Sequence, residues 1–260
     1  MKAKTFYYSN EKQDDFAGVV RKPYIVDEKY RYNRSGVFWK ISKFIVYRII
    51  MKPFAYIYIK LKFGHKVVNK RLLKEVVKQG YFMYGNHTMM AGDAFIPNIV
   101  NAPKNTYTVV HSDNISVSFT RGFVIRCGAI PLPNTLSATK NFLDILSRCI
   151  VGKGVIMIYP EAHIWPYYTG IRGFDSASFR YPIKLGVATY SLTNTFHKRW
   201  LFRTPKVVTY IDGPFYPNTK LTYKEQVLEL RNKVYQAMQE RSKLNTYKVH
   251  NYIKSEVSFD

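Results

Sequence analysis

Cysteine and acidic residues are scarce in this sequence of 260 residues. Two cysteines, Cys127 and Cys149, cannot form a disulfide framework. We interpret them as reduced, partly buried thiols of a cytoplasmic protein, although one disulfide between them stays open. Only 17 Asp and Glu oppose 40 Lys and Arg, which gives a net charge of +23 at pH 7. Such a chain is expected to collect on anionic surfaces, either nucleic acid or the phosphate head groups of a bilayer.

Long uncharged apolar runs are also missing. The first 16 residues contain no apolar run after their lysines, so we expect no secretory signal. The most apolar segment, 37–63, is interrupted by Lys40, Lys43, Arg48, Lys52, Lys60 and Lys62. A charge at mid-bilayer costs a few kcal/mol, so these six argue against a membrane span. An interfacial position is compatible with them because long basic side chains reach the head groups.

A basic and aromatic segment precedes the rest of the chain. Residues 29–74 contain 13 Lys and Arg but no Asp or Glu. Pro53 is expected to divide residues 36–64 into a pair of helices. Five apolar residues fall roughly on one side of the first helix: Phe38, Ile41, Ile45, Ile49 and Met51. We predict that this pair lies in an anionic membrane surface; the alternative is a helix packed on the core with a solvated basic face.

The remaining pattern predicts an α/β domain. Residues 1–35 are interpreted as an irregular leader, 65–245 as the domain and 246–260 as a frayed tail. Apolar strand patterns at 81–85, 106–111, 128–132, 155–159, 187–192 and 207–211 alternate with helical ones. One helix, at 137–150, is expected to bury Leu136 among its apolar residues, and Thr222 with Glu225 forms a capping box for the last. We therefore expect a mixed, mostly parallel sheet flanked by helices, preceded by the helical pair.

Two polar segments follow predicted strands. His87 comes just after the first of these strands, and Asp93 lies six positions later, near the first turn of a predicted helix. A carboxylate that accepts a hydrogen bond from one imidazole nitrogen leaves the other nitrogen free to take a proton from a hydroxyl. Glu161 follows the strand at 155–159, and ligands of α/β proteins bind where strands end. The alternatives are a histidine satisfied in a loop, a helix-capping Asp93 and an exposed Glu161.

These segments together resemble a known family. The order strand–NHTMMAGD, then GAIPLPN, then strand–YPEAHIW, then LGVATYSL resembles the four blocks of the glycerolipid acyltransferases, in particular the bacterial 1-acylglycerol-3-phosphate acyltransferases. The four blocks cover about 80–195, and the basic helices ahead of them resemble the membrane-binding helices of that family. Order and spacing together are far more specific than any single block.

The blocks also depart from the family pattern. Five residues separate His87 from Asp93 instead of four, which is closest to a branch with this longer spacing. Asn134 occupies the place of the usual phosphate-binding Arg, and Ala162, His163 and Ile164 replace Gly, Thr and Arg in the third block. A phosphate-binding Arg is thus missing from both usual places. Cations that could substitute for it are Arg172, with Arg126 and Lys140 as further candidates.

The resemblance implies transfer of a fatty acyl chain from a thioester to a hydroxyl. His87 would be the general base, Asp93 would orient it, and Asn86 and Glu161 would contact the acceptor. The implied co-substrates are an acyl-CoA or acyl carrier protein and a lysophospholipid, most simply 1-acylglycerol-3-phosphate. We expect no metal and no other cofactor, anionic membrane lipids as partners, no specific nucleic acid, and a peripheral location on the cytoplasmic side of the cell membrane. The alternatives are another lipid or glycolipid acceptor, or a non-catalytic basic protein that binds membranes or nucleic acid.

Overall fold

The computed structural model describes residues 2–18 and 22–255. Parts of the predicted leader (1 and 19–21) and tail (256–260) lie outside the described residues. The strands are β1 (Thr5–Tyr8), β2 (Lys66–Val68), β3 (Tyr81–Gly85), β4 (Thr106–Val110), β5 (Ala129–Pro131), β6 (Val155–Ile158), β7 (Thr189–His197), β8 (Lys206–Phe215) and β9 (Asn251–Lys254). The α-helices are α1 (Val37–Phe44), α2 (Lys52–Phe63), α3 (Met90–Val100), α4 (Ser118–Arg126), α5 (Leu136–Val151), α6 (Arg180–Leu185) and α7 (Tyr223–Ser242).

The main sheet has seven strands in the order β2-β8-β7-β3-β6-β4-β5. β3, β4, β5, β6 and β7 are parallel, whereas β8 runs antiparallel to β7 and carries β2 at its outer edge. All five residues of β3 are buried, as expected for a central strand covered on both faces. The prediction of a mixed, mostly parallel sheet flanked by helices is confirmed.

Two apolar layers cover the sheet. Met83 of β3 and Ile59 of α2 lie in the first layer, and Phe82 and Leu230 of α7 lie in the second. Adjacent strand residues point to opposite faces, so β3 supplies both layers. The Thr222–Glu225 capping box is present at the start of α7. The prediction for Leu136 is wrong: it is the first residue of α5 and is 93% exposed, because the helix begins there before it reaches the sheet.

The predicted helical pair is one continuous helical run. α1 passes through a π-helical segment, Ile45–Met51, into α2 with right-handed helical backbone at both junctions. Pro53 does not interrupt the run: it lies at the junction where the π-helical segment passes into α2 and the backbone hydrogen-bond pattern changes. In the part of the chain that the structure describes, no helix combines the length and apolar character needed to cross a bilayer.

The two sides of this helical run differ in exposure. Tyr47, Met51, Ala55, Ile59 and Phe63 face the protein and are buried. Four of the five apolar residues predicted to share a side are exposed together: Phe38, Ile41, Ile45 and Ile49. Met51 instead lies on the buried side, four residues after Tyr47, so its assignment to the exposed row is corrected.

The leader is not wholly irregular, and the tail is not frayed up to Lys254. β1 and β9 form a separate parallel two-stranded sheet, with Thr5 opposite Asn251 and Tyr8 opposite Lys254. The pairing is extended by hydrogen bonds from the Lys4 amide to His250 Nδ1 and from the Ser255 amide to the Tyr8 carbonyl. Neither strand could be predicted from its local sequence, because each strand is short and its partner lies far away along the chain.

Candidate active site

His87 and Asp93 meet where β3 ends. Residues 86–89 connect β3 to α3 without regular secondary structure, and α3 then places Asp93 in its first turn. His87 Nδ1 lies 2.8 Å from Asp93 Oδ2, which also accepts the Met89 amide at 2.9 Å. The five-residue spacing therefore still brings the two side chains together.

Burial shapes the electrostatics of this pair. Asp93 is buried, whereas the His87 side chain keeps 17% of its surface exposed. Burial raises the pKa of the Asp93 carboxyl, and the hydrogen bond from His87 acts in the opposite direction. A buried carboxylate on Nδ1 orients the ring and leaves Nε2 as the nitrogen for a ligand.

Tyr159 is a site residue that the sequence interpretation missed. Its ring stacks on His87 with centroids 4.5 Å apart and planes at 18°, and its hydroxyl donates to the Asp93 carbonyl at 2.6 Å. Burial raises the pKa of the Tyr159 hydroxyl, so it remains a neutral donor. Its place directly after β6, beside the predicted Glu161, was the available signal.

Glu161 is buried and faces the protein. Its Oε2 accepts the His87 amide and an Arg172 Nη2, both at 3.1 Å, and its Oε1 accepts the Arg172 amide at 3.1 Å. Burial raises the pKa of Glu161, and the Arg172 guanidinium opposes that shift. The Glu161 carboxylate thus holds the backbone of the His87 loop, and its contact with the acceptor stays a prediction.

Arg172 has a structural position rather than an open one. Its side chain is fully buried, pairs with Glu161, and donates to the carbonyls of His163 and Glu11. The guanidinium also lies 4.9 Å from the centre of the Trp165 ring. Its hydrogen bonds are thus made inside the protein, and its predicted contact with a substrate phosphate stays a prediction.

Asn86 is also an internal contact. Its side chain donates to the Asn194 carbonyl at 3.0 Å and accepts the Asn194 amide at 2.8 Å. The network continues from Asn194 Oδ1 to Thr209 and then to His65, whose pKa burial lowers to about 4. Asn86 thus fastens the end of β3 to β7, and its contact with substrate stays a prediction.

Within the described residues, neither of the other two predicted cations forms a hydrogen bond or an ion pair with His87 or Asp93. Arg126 is the last residue of α4, just before β5 begins, and so lies towards the opposite edge of the sheet. It bonds to Ser42 and to the Gly122 carbonyl, and its guanidinium lies 4.1 Å from the centre of the Trp39 ring. Lys140 is exposed on α5. The fold therefore uses Arg126 to join α4 to α1.

The third block keeps one backbone feature of the resemblance. Ala162 has φ +63°, the left-handed region that favours glycine, and glycine is the residue expected there.

Within residues 2–18 and 22–255, no three His, Cys, Asp or Glu side chains are grouped so that they could hold a metal ion.

Together these features define an α/β protein with a His–Asp pair at the carboxyl edge of its sheet. No protein-family model and no curated protein matches the sequence. Among solved structures, the chain is similar to the crystal structure of the 1-acyl-sn-glycerophosphate (LPA) acyltransferase PlsC from Thermotoga maritima. The TM-score is 0.56 at 15% sequence identity, over 85% of this chain and 89% of that chain. The two proteins share a fold.

Proposed function

We propose that the protein is an acyltransferase that moves a fatty acyl chain from a thioester to a hydroxyl of a lysophospholipid at a membrane surface. The observation that carries the proposal is the 2.8 Å contact between His87 and buried Asp93 at the carboxyl edge of the sheet. The similar structure adds support, because it is that of an LPA acyltransferase with the same fold. The four sequence blocks, in family order, point to the same chemistry.

The proposed reaction proceeds without a covalent enzyme intermediate. His87 Nε2 removes the proton of the acceptor hydroxyl while Asp93 holds Nδ1. The acceptor oxygen attacks the thioester carbonyl carbon and forms a tetrahedral oxyanion. When that intermediate collapses, the carbon–sulfur bond breaks, and the thiolate takes the proton from the His87 imidazolium. Tyr159 keeps the imidazole ring in place by stacking on it.

The net charge of the protein and the exposed apolar row of its N-terminal helices support the choice of substrates. An acyl-CoA or acyl carrier protein is acidic and suits a chain of net charge +23. The exposed apolar row of the N-terminal helices suits a membrane that supplies a lysophospholipid. 1-Acylglycerol-3-phosphate is the first acceptor to test, because the similar structure is that of an LPA acyltransferase. Arg172 and Arg126 are engaged inside the protein, so other lipid and glycolipid acceptors belong in the same screen.

The decisive experiment is acyl transfer from a labelled long-chain acyl-CoA to a panel of lysophospholipids. His87→Ala should lower the rate by about 10²–10⁴-fold, the usual contribution of a general base. His111→Ala is the matched control, because His111 forms an exposed pair with Asp113 and should retain activity. Activity of His87→Ala within threefold of wild type would reject His87 as the base. Absence of transfer to every acceptor would favour the non-catalytic alternative, which vesicle binding and a gel shift at physiological salt would then examine.

A further inference from the structure

The loop between β7 and β8 presents an apolar tip that the proposed reaction does not use. Trp200 is 95% exposed, and Leu201 and Phe202 beside it are 80% and 55% exposed. Three consecutive exposed apolar residues are unusual on a protein surface that meets only water. The exposed tip therefore indicates a surface that binds a partner.

The loop lies at the edge of the sheet that carries His87. β3 and β7 are parallel neighbours, with Gly85 opposite Leu192, so both strands leave the sheet at the same edge. Asn86 bonds to Asn194, three residues before β7 ends at His197. β7 runs five residues beyond Leu192 before the loop begins, so a surface that receives this tip would lie on the side of the molecule where β3 ends and His87 follows.

The base of the loop is fastened to the N-terminal helical run. Arg199 Nη1 and Thr204 Oγ1 both donate to the Lys62 carbonyl, at 2.9 and 2.6 Å. The Arg199 guanidinium also lies 3.6 Å from the centre of the Phe202 ring. Exposed Leu61 lies next to Lys62 in α2, so the helix end at the base of the loop also presents an apolar side chain to solvent.

The charge around the tip identifies its partner. Residues 176–211 contain no Asp or Glu, and Lys198, Arg199 and Arg203 flank the tip. Cations at the base of an apolar tip match a bilayer, where the tip enters the acyl boundary and the cations meet anionic head groups. Tryptophan is also the residue enriched at that depth. A nucleic acid would instead set Leu201 against phosphates, without compensation.

We propose that Trp200, Leu201 and Phe202 form a second membrane anchor, which inserts into anionic bilayers beside the active-site rim. The inference deepens the proposed function and rests on it for its purpose: the anchor, with the end of α2, would hold the His87 edge against the membrane that contains the acceptor. The anchoring itself requires no catalysis.

The test measures partition onto vesicles without substrate. The probe is unilamellar vesicles of equal parts phosphatidylglycerol and phosphatidylcholine, a fraction of the latter brominated to quench tryptophan that enters the bilayer. The variant Trp200→Ser/Leu201→Ser should partition at least about tenfold more weakly than wild type, since it loses two inserting apolar side chains. The matched control is Val151→Ser/Leu228→Ser, which removes two exposed apolar residues near the opposite edge of the sheet and should bind as wild type does.

Fluorescence identifies the inserting residue. Trp39 lies in α1 and is replaced first, so that Trp39→Phe keeps only Trp200 and the buried Trp165. Brominated lipid should quench the emission of Trp39→Phe, and Trp39→Phe/Trp200→Phe should lose most of that quenching while it still binds. Equal partition of the loop variant and wild type, or quenching that Trp200→Phe leaves unchanged in the Trp39→Phe background, would overturn the proposal. The proposal would also be overturned if the wild-type protein were a dimer and the loop variant a monomer, with equal binding of the two proteins to vesicles. Failure of acyl transfer alone leaves these readouts intact, so the two proposals fail separately.

Discussion

Asp93 divides its hydrogen bonds between a side chain and the backbone at the point where a strand becomes a helix. The same oxygen accepts from His87 Nδ1 and from the Met89 amide, so the carboxylate fixes both the imidazole and the turn that carries it. Burial raises the pKa of this carboxyl, and the bond to His87 favours its charged form. The imidazolium formed during acyl transfer would therefore be stabilised by a nearby anion.

Replacing Asp93 with asparagine tests this function. Asp93→Asn removes the charge but keeps the size, so we expect kcat for acyl transfer to fall by about 10²–10⁴-fold. The melting temperature should stay near that of wild type, because an ionised carboxylate is costly to bury and a neutral amide is less so. Rates and thermal melts by circular dichroism provide the two measurements. Near-normal kcat in the folded variant would show that the carboxylate does not assist His87.

Glu161 and Arg172 form a buried pair that acts on His87 through its backbone. Both side chains are fully buried, and Glu161 Oε2 accepts the His87 amide as well as the guanidinium. The position of Glu161 after a strand could be predicted from the sequence. Its partner could not, because Arg172 lies eleven residues along an irregular loop and only tertiary packing turns its side chain inward.

A double-mutant cycle measures the coupling of this pair. Arg172→Met leaves the Glu161 carboxylate buried without its cation and should lower the free energy of unfolding by about 3–5 kcal/mol. The double variant Glu161→Gln/Arg172→Met should cost less than the sum of the single changes, with a coupling above about 1 kcal/mol. Urea unfolding of the four proteins measures it. Additive costs would mean that the two groups do not interact in solution.

Among the secondary-structure elements, the N-terminal helical run could be predicted only in part from the spacing of its apolar residues. Apolar spacing correctly placed Phe38, Ile41, Ile45 and Ile49 on one side. Pro53 predicts a division of the run into two helices. The helix nevertheless continues, because Pro53 lies at the junction of the π-helical segment and α2. Likewise β7 extends to His197 beyond its predicted end at 192, because its polar residues are buried between β3 and β8. Burial of polar strand residues is decided by neighbours distant in sequence.

The structure also separates the cations of this run into two groups. Lys43 lies 4.9 Å from the centre of the Tyr107 ring, and Arg48 donates to the Pro103 carbonyl, so both contact the protein. Lys40 and Lys60 are exposed, and the Lys60 ammonium also donates to the His65 carbonyl at 2.8 Å. If the run lies on a membrane as we propose, the exposed lysines carry the attraction to anionic lipid.

Charge reversal at these two positions tests the membrane contact. Lys40→Glu/Lys60→Glu should weaken binding to phosphatidylglycerol-containing vesicles by at least about tenfold at low salt, since each basic residue near the surface contributes about 1 kcal/mol. The difference should shrink at high salt. Lys220→Glu/Lys224→Glu, with the same change in net charge at the start of α7, is the control. Equal losses in the two variants would indicate that net charge, and not this helix, governs binding.

At the scale of the whole molecule, the two ends of the chain meet above the loop that supports His87. β1 and β9 pair in parallel, and Tyr252 of β9 stacks on Trp165 with centroids 4.9 Å apart. The Trp165 amide donates to the His87 carbonyl, and its indole donates to the Asp14 carbonyl of the leader. The terminal sheet, the aromatic cluster and the loop that carries His87 are thus one connected unit.

This connection makes a distant aromatic residue relevant to catalysis. Phe6 of β1 packs on Phe16 and Tyr252, whereas its neighbour Tyr7 points to the other face of the strand and is exposed. Phe6→Ala should lower the free energy of unfolding by about 1–3 kcal/mol through lost apolar burial. Because the cluster sets Trp165 and thereby His87, kcat for acyl transfer should also fall, by up to about 10²-fold, with little change in KM.

Tyr7→Ala provides the matched control on the same strand. It removes an aromatic ring of similar size from the solvent side and should stay within about 0.5 kcal/mol of wild type, with normal kcat. Urea unfolding and steady-state kinetics compare the two variants directly. A Phe6→Ala protein that is destabilised yet fully active would separate the terminal sheet from the catalytic loop. Loss of stability and kcat together would establish that the ends of the chain hold the His87 imidazole in position.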